Sequence, residues 1–152
     1  ICGVLSQSTV DEGLAVCGVH AICNLLFNDK LKRRVVSEPN VIPATFAMIK
    51  KFPSCEDLIE FGCLSIAQVA RDDVKMKEMV VRNGGFSLVH RALEHYVTLR
   101  GSDPSLVIKD ASLCALAAIS GCGPGAQELA RSGLLDNLHA MFAVETDDDF
   151  RC

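Results

Sequence analysis

The stretch Ala21-Ile22-Cys23-Asn24-Leu25-Leu26 returns as Ser65-Ile66-Ala67-Gln68-Val69-Ala70 and again as Ala115-Leu116-Ala117-Ala118-Ile119-Ser120, at offsets of 44 and 50 residues. Each copy sits in a run whose apolar residues recur at helical spacing. A helical pattern repeating at this period marks an α-solenoid, in which a unit buries its apolar face only against its neighbours. The question of function then becomes which face binds what, rather than which side chains catalyse.

Outward from each copy, the surroundings repeat as well. A long apolar helix is expected over roughly 14–27, 56–71 and 105–120. It is preceded by Asp11-Glu12, Glu56-Asp57 and Asp103-Pro104-Ser105. Oxygen-bearing and acidic side chains suit a helix N-terminus, where free N–H groups and the helix dipole favour them. Four residues in from the first apolar anchor the side chain is small: Gly18, Gly62, Ser112. Gly inside a helix costs about 1 kcal/mol relative to Ala, so close approach of another helix is the reason to expect it there.

A linker follows, at Asn28-Asp29, Asp72-Asp73 and Gly121 to Gly125, and then a short helix over roughly 30–38, 74–83 and 125–132. Asn40, Gly84-Gly85 and Gly133 mark a sharp turn, with Gly84 and Gly133 expected at positive φ. A third helix is expected over roughly 41–52, 86–97 and 134–144. Its apolar positions align as Ile42/Phe86/Leu135, Thr45/Val89/Leu138 and Ile49/Leu93/Phe142. Pro43 falls in the first turn of one such helix, where its missing N–H costs little.

The three-helix unit, with its Ala-Leu-x-x-Leu-type run and its Gly-x-Ile-Pro-x-Leu-type turn (Asn40-Val41-Ile42-Pro43-Ala44-Thr45, Gly84 to Val89, Gly133 to Leu138), resembles the armadillo repeat over residues 14–144. The extra short helix argues against a two-helix HEAT unit. The resemblance implies an all-α, right-handed solenoid of about three repeats, roughly 14–55, 56–104 and 105–144, in one domain spanning 1–152. Residues 1–13 read as the remnant of a preceding repeat, because Ile1-Cys2-Gly3-Val4-Leu5-Ser6 matches Ile22 to Phe27.

Composition agrees with helix stacking and narrows the function classes. Hydrophobic residues make up 49% of the 152, yet aromatics only 5%, so the core must be built from small and aliphatic side chains. A net charge of −4 lacks the basic excess of a nucleic-acid binder. No apolar run reaches the ~18 residues that cross a bilayer. The eight cysteines, 2, 17, 23, 55, 63, 114, 122 and 152, include no Cys-x-x-Cys pair and fall mostly in apolar helical pattern. They read as reduced thiols serving as small hydrophobes, in a cytoplasmic or nuclear setting.

The chemical candidates are each outweighed by a packing reading. Cys17, His20 and Cys23 lie three apart on one helix, within reach of a shared metal. Position 23 aligns with Ala67 and Ala117, however, which favours a small buried slot, and no metal is expected. His90 and His139 align with Phe46 and are expected to be packed; His95 is expected to be exposed. Gly121 to Gly125 lacks a following Gly-Lys-Ser/Thr and reads as a linker rather than a phosphate loop. Asp147-Asp148-Asp149 reads as a solvated tail, and Lys30, Lys32, Arg33 and Arg34 as a solvated helix face.

What remains is the concave surface that the resemblance implies. Armadillo proteins that recognise extended basic peptides present an Asn on each long helix, with a Trp one turn before it. Asn24 matches that Asn, whereas Gln68 and Ala118 depart from it, and the Trp position holds His20, Leu64 and Cys114. The expected groove is therefore His20, Asn24, Leu64, Gln68, Arg71, Cys114 and Ala118. It would take a protein or an extended peptide with apolar side chains and an acidic group, not a Lys-rich signal.

The chain is expected to be a non-enzymatic interaction scaffold without a cofactor. The alternative is a structural segment of a longer armadillo or HEAT solenoid, used for assembly, with self-association through exposed solenoid ends. A hydrolase or metal enzyme built on helices is the third and least favoured class.

Overall fold

The computed structural model describes residues 10–71, 73–98 and 103–139, and every regular element among them is helical. The order is α1 (Glu12–Leu26), α2 (Asp29–Ser37), α3 (Val41–Lys51), α4 (Glu56–Ala70), α5 (Val74–Arg82), α6 (Gly85–Thr98), α7 (Asp103–Ser120) and α8 (Gly123–Arg131), with a further helical stretch over 134–139. Long, short and third helices thus alternate three times, within one or two residues of their expected bounds at most ends. The match of residues 1–6, Cys2, Cys152, Phe142 and the Asp147–Asp149 run lie outside the described residues.

Local chemistry starts and stops these helices. Asp11 caps α1 by accepting from the Leu14 amide at 2.8 Å. Asn28 and Asp73 cap the short helices α2 and α5, each accepting from two backbone amides. In the third unit the corresponding residue is Cys122, which makes no cap hydrogen bond; Pro124 in the first turn of α8 removes one of the amides that would otherwise need a partner. Gly84 and Gly133 have φ of +86° and +70°, and no other described residue has a positive φ. They reverse the chain from the short helix into the third one as expected.

The long helices pack side by side in sequence order, α1 on α4 and α4 on α7, while α6 also packs on α7. Burial records this order. Helix α1 buries Ala15, Val19, Ile22 and Leu26, one stripe at helical spacing. Helix α7 buries Ile108, Ser112, Ala115 and Ile119, a stripe on the other side of the repeat. Helix α4 buries both at once, Ile59-Cys63-Ile66-Ala70 toward one side and Leu58-Gly62-Ser65-Val69 toward the other. A helix apolar on two faces is stable only with neighbours on both, so α4 is the centre of the core.

Gly62 is one point of close approach in that core. A Cβ at Gly62 would lie 2.4 Å from Cδ1 of Ile49 on α3. The small residue expected for close approach is required by packing. Ser112, its counterpart on α7, is fully buried and donates toward the Cys63 sulfur at 3.5 Å.

Four expectations are corrected. Leu135, aligned with Ile42 and Phe86, which are buried, is 52% exposed, and its neighbour Leu134 is buried instead. Ala117, expected in a small buried slot, is exposed, and its counterpart Ala67 is only half-buried. His139, expected to pack as Phe46 does, is exposed. Gly123 to Gly125 is the first turn of α8 rather than a linker. Leu135, Ala117 and His139 all lie on the third unit, whereas the buried residues they align with lie on the first two; Ala67 shows that its slot is partly open on the central helix as well.

Candidate functional site

The seven residues of the expected groove come from the three long helices, one turn apart on each. Their accessibility differs. His20 and Asn24 on α1, Arg71 just past α4, and Cys114 on α7 are exposed; Leu64 and Ala118 are half-buried. Gln68 is only 6% exposed, and no partner for its carboxamide is present among the described residues. A buried primary amide without partners retains two donors and an acceptor, an arrangement that costs about 1–3 kcal/mol.

His20 does not stand free. Its ring stacks on Phe61 of α4, with centroids 4.1 Å apart and planes within 4°. This lateral contact joins two units, and Phe61 was absent from the expected site. Glu60, the residue before it, is a second omission. Loss of hydration at this half-buried position pushes its carboxyl above the usual range, Asp57 adds to the shift, and His20 opposes it. The face expected to carry one cation and no carboxylate therefore has Glu60 at its edge, close enough to His20 and Cys23 to act on both.

The stacked ring also separates the Cys17, His20 and Cys23 group. Cys17 is exposed while Cys23 is buried. Burial pushes the Cys23 thiol up, against a hydrogen bond with Ser65, and Glu60 raises it further. No group of three or more His, Cys, Asp or Glu among the described residues converges as a metal site would. His90 is half-buried, 3.8 Å from the Glu94 carboxylate on its own helix, and tilted against Phe86.

The glycine-rich stretch before α8 has a structural cause. A Cβ at Gly125 would lie 2.0 Å from the Ile119 carbonyl oxygen, an atom of the backbone that cannot move aside. Glycine there lets α8 fold back against the end of α7.

The six described cysteines are free thiols. Cys63 is 3% exposed. It lines an open cleft of about 270 Å³ between α3, α4 and α6, bordered by Ile49, Leu88 and Arg91. Burial pushes its thiol up to about 11, against the hydrogen bond from Ser112. The thiolate is the nucleophilic form, so this arrangement makes a packing thiol and not a reactive one.

A second opening lies between the short helices. α5 packs on α8, but between α2 and α5 runs a groove of about 660 Å³ with Val36, Val69 and Met76 in its lining and Arg33 and Asp29 at its edge. No described helix is long and apolar enough to cross a membrane.

No protein-family description, no curated protein and no solved structure matches this chain.

Proposed function

We propose that this chain is an armadillo-type solenoid segment that binds a protein partner, without catalysis, through the face formed by α1, α4 and α7. The observation that carries the reading is Gln68. The residue is 6% exposed, no hydrogen bond to its carboxamide is formed among the described residues, and it lies on the long helix that has neighbours on both sides. An extended peptide offers an N–H and a C=O at the spacing of one carboxamide, and pairing with it would recover the cost of the orphaned amide. Asn24 occupies the same position on α1 and Arg71 flanks Gln68 by one turn, which suits a backbone clamp with one cation for an acidic group. The stacking order α1, α4, α7 supports the solenoid reading, and the two-sided burial of α4 is what a central repeat requires.

The test is a double substitution, Asn24→Ala with Gln68→Ala, measured against a partner recovered with the wild-type chain. Loss of the clamp should weaken binding roughly tenfold or more. Unchanged affinity would move the partner site off this face. The assembly reading would then gain, in which the segment extends a longer solenoid. One observation favours that second reading in its own right: Leu106 and Val107 on α7 and Leu135 beyond α8 are large apolar side chains left exposed on the last unit.

A further inference from the structure

The two ends of the long-helix stack leave complementary stripes uncovered. Two contacts fix which side of each helix faces which neighbour. Ser112 on α7 donates toward Cys63 on α4, so Ile59-Cys63-Ile66-Ala70 faces α7. Cys23 on α1 shares a hydrogen bond with Ser65, so Leu58-Gly62-Ser65-Val69 faces α1. At the repeat offset of 44, the α1 counterparts of this second stripe are Leu14, Gly18, Ala21 and Leu25. On α7 they are Ile108, Ser112, Ala115 and Ile119. All three stripes run large, small, small, large, but their coverage differs. The α4 and α7 stripes are buried, whereas Leu14 is 45% exposed and Gly18, Ala21 and Leu25 are half-buried. At the other end the open stripe is the opposite one. Ala117, the counterpart of the buried Cys23, is exposed, and Leu113, the counterpart of the buried Cys63, is half-buried.

The order of helices says what fits between these ends. α4 and α7 each follow a short and a third helix, α2 with α3 and α5 with α6, and each packs on the third helix before it. α8 and the stretch 134–139 form another such pair, and no long helix follows them among the described residues. Leu135 of that stretch is exposed where Ile42 and Phe86 are buried. α1 is the converse, a long helix with no such pair before it among the described residues.

We propose that copies of this chain associate head to tail, with α1 of one copy packing on α7 and the 134–139 stretch of another. The incoming α1 takes the place that a long helix holds after each of the other short and third helices. A second copy is the occupant because its α1 presents the same large-small-small-large stripe that α4 and α7 present in that place. In the register of the two existing contacts, Leu113 lies on Gly18 of the second copy and Ala117 on its Ala21. Lys109 interrupts the apolar stripe of α7, but a lysine stem covers apolar surface while its head stays in water, so the contact accommodates it. The interface joins two different ends and is heterologous, so association continues past a dimer. It rests on the stacking of the long helices and makes no use of Asn24 or Gln68.

The experiment measures the mass of the full chain by sedimentation equilibrium at concentrations up to ~1 mM. Wild type should gain mass with concentration and exceed a dimer. Leu14→Arg blocks one end and Ala117→Arg the other; both positions are exposed, and circular dichroism should show both variants folded. Each variant alone should associate more weakly by roughly tenfold or more. Mixed together they should form a one-to-one dimer and nothing larger, because the intact α7 end of the first meets the intact α1 end of the second. Asn24→Ala with Gln68→Ala should associate as wild type does. A monomeric wild type would leave the α1 stripe to a different protein and overturn the proposal. It is also overturned if wild type stops at a dimer, if either folded variant associates as wild type does, or if the mixture forms no dimer. Loss of association in the Asn24/Gln68 variant would place the contact on the other face and overturn it as well.

Discussion

Removing the thiol of Cys63 should change how stability depends on pH, and the structure sets the size of the change. Cys63 lies between α4 and α7 with 3% of its surface exposed, and burial raises its thiol from 9.0 to about 11. The folded protein therefore holds the proton more tightly than the unfolded chain does. Below pH 9 both states are protonated and the group is neutral to stability. Above pH 9 the unfolded chain ionises first and is favoured, so stability is lost progressively until pH passes about 11. The shift from 9.0 to about 11 corresponds to roughly 2–3 kcal/mol.

The assay is urea denaturation of the wild type and of Cys63→Ala at a series of pH values from 7 to 11. All other ionisable groups are common to the two proteins and cancel in the difference. The cavity left by the substitution is a constant offset of about 1–2 kcal/mol. Wild type should lead at neutral pH and lose that lead between pH 9 and 11. A difference constant to within about 0.5 kcal/mol across the range would refute a buried protonated thiol at this position.

Gly62→Ala should destabilise by about 1–3 kcal/mol, because its Cβ meets Ile49, whereas Gly13→Ala in α1, where the nearest atom is the Asp11 carboxylate at 3.6 Å, should be neutral or stabilising; thermal denaturation of the pair checks this. Gly133→Val should cost roughly 1–3 kcal/mol through the left-handed φ alone, since nothing lies within 4 Å of its added Cβ; Gly133→Asn should cost less, and equal losses would point to a different turn. Gln68→Met should leave stability unchanged or raise it by up to about 1 kcal/mol, as the carboxamide it removes has no partner; a loss above about 2 kcal/mol in a denaturant titration would reveal one.

The helices and their order were legible from local signals. Apolar residues recur at helical spacing, oxygen-bearing residues such as Asp11 precede the long helices, and Gly84 and Gly133 mark two of the three reversals, while Asn28 and Asp73, read as linker residues, prove to be caps. Each signal is local and survives without knowledge of neighbours. Burial does not. Alignment assigns Ala117 the environment of Cys23, and Leu135 that of Ile42, but a position is buried only where another unit covers it. α4 has a long helix on each side, whereas α1 and α7 each bury one stripe. His20 and Phe61 eluded the sequence reading for the same reason: their stacking crosses between units, and no repeat alignment pairs a residue with a different position of the next helix.

This difference between the central and flanking units also decides where chemistry is available. Gln68 and Asn24 hold equivalent positions, yet the first is buried and the second exposed. On α4 most residues are used to hold the neighbouring helices, and what reaches solvent there is Asp57, Arg71 just past the helix, and parts of Glu56, Glu60, Phe61, Leu64 and Ala67. α1 and α7 keep Asn24 and Cys114 accessible because each has fewer neighbours. The short helices escape this constraint altogether: α2 has no buried residue and α5 has only Val80. They can therefore collect Lys and Arg without the cost of burying charge. Among the described helices the tasks are thus separated, with the middle long helix committed to packing and the short helices free to carry charge at the surface.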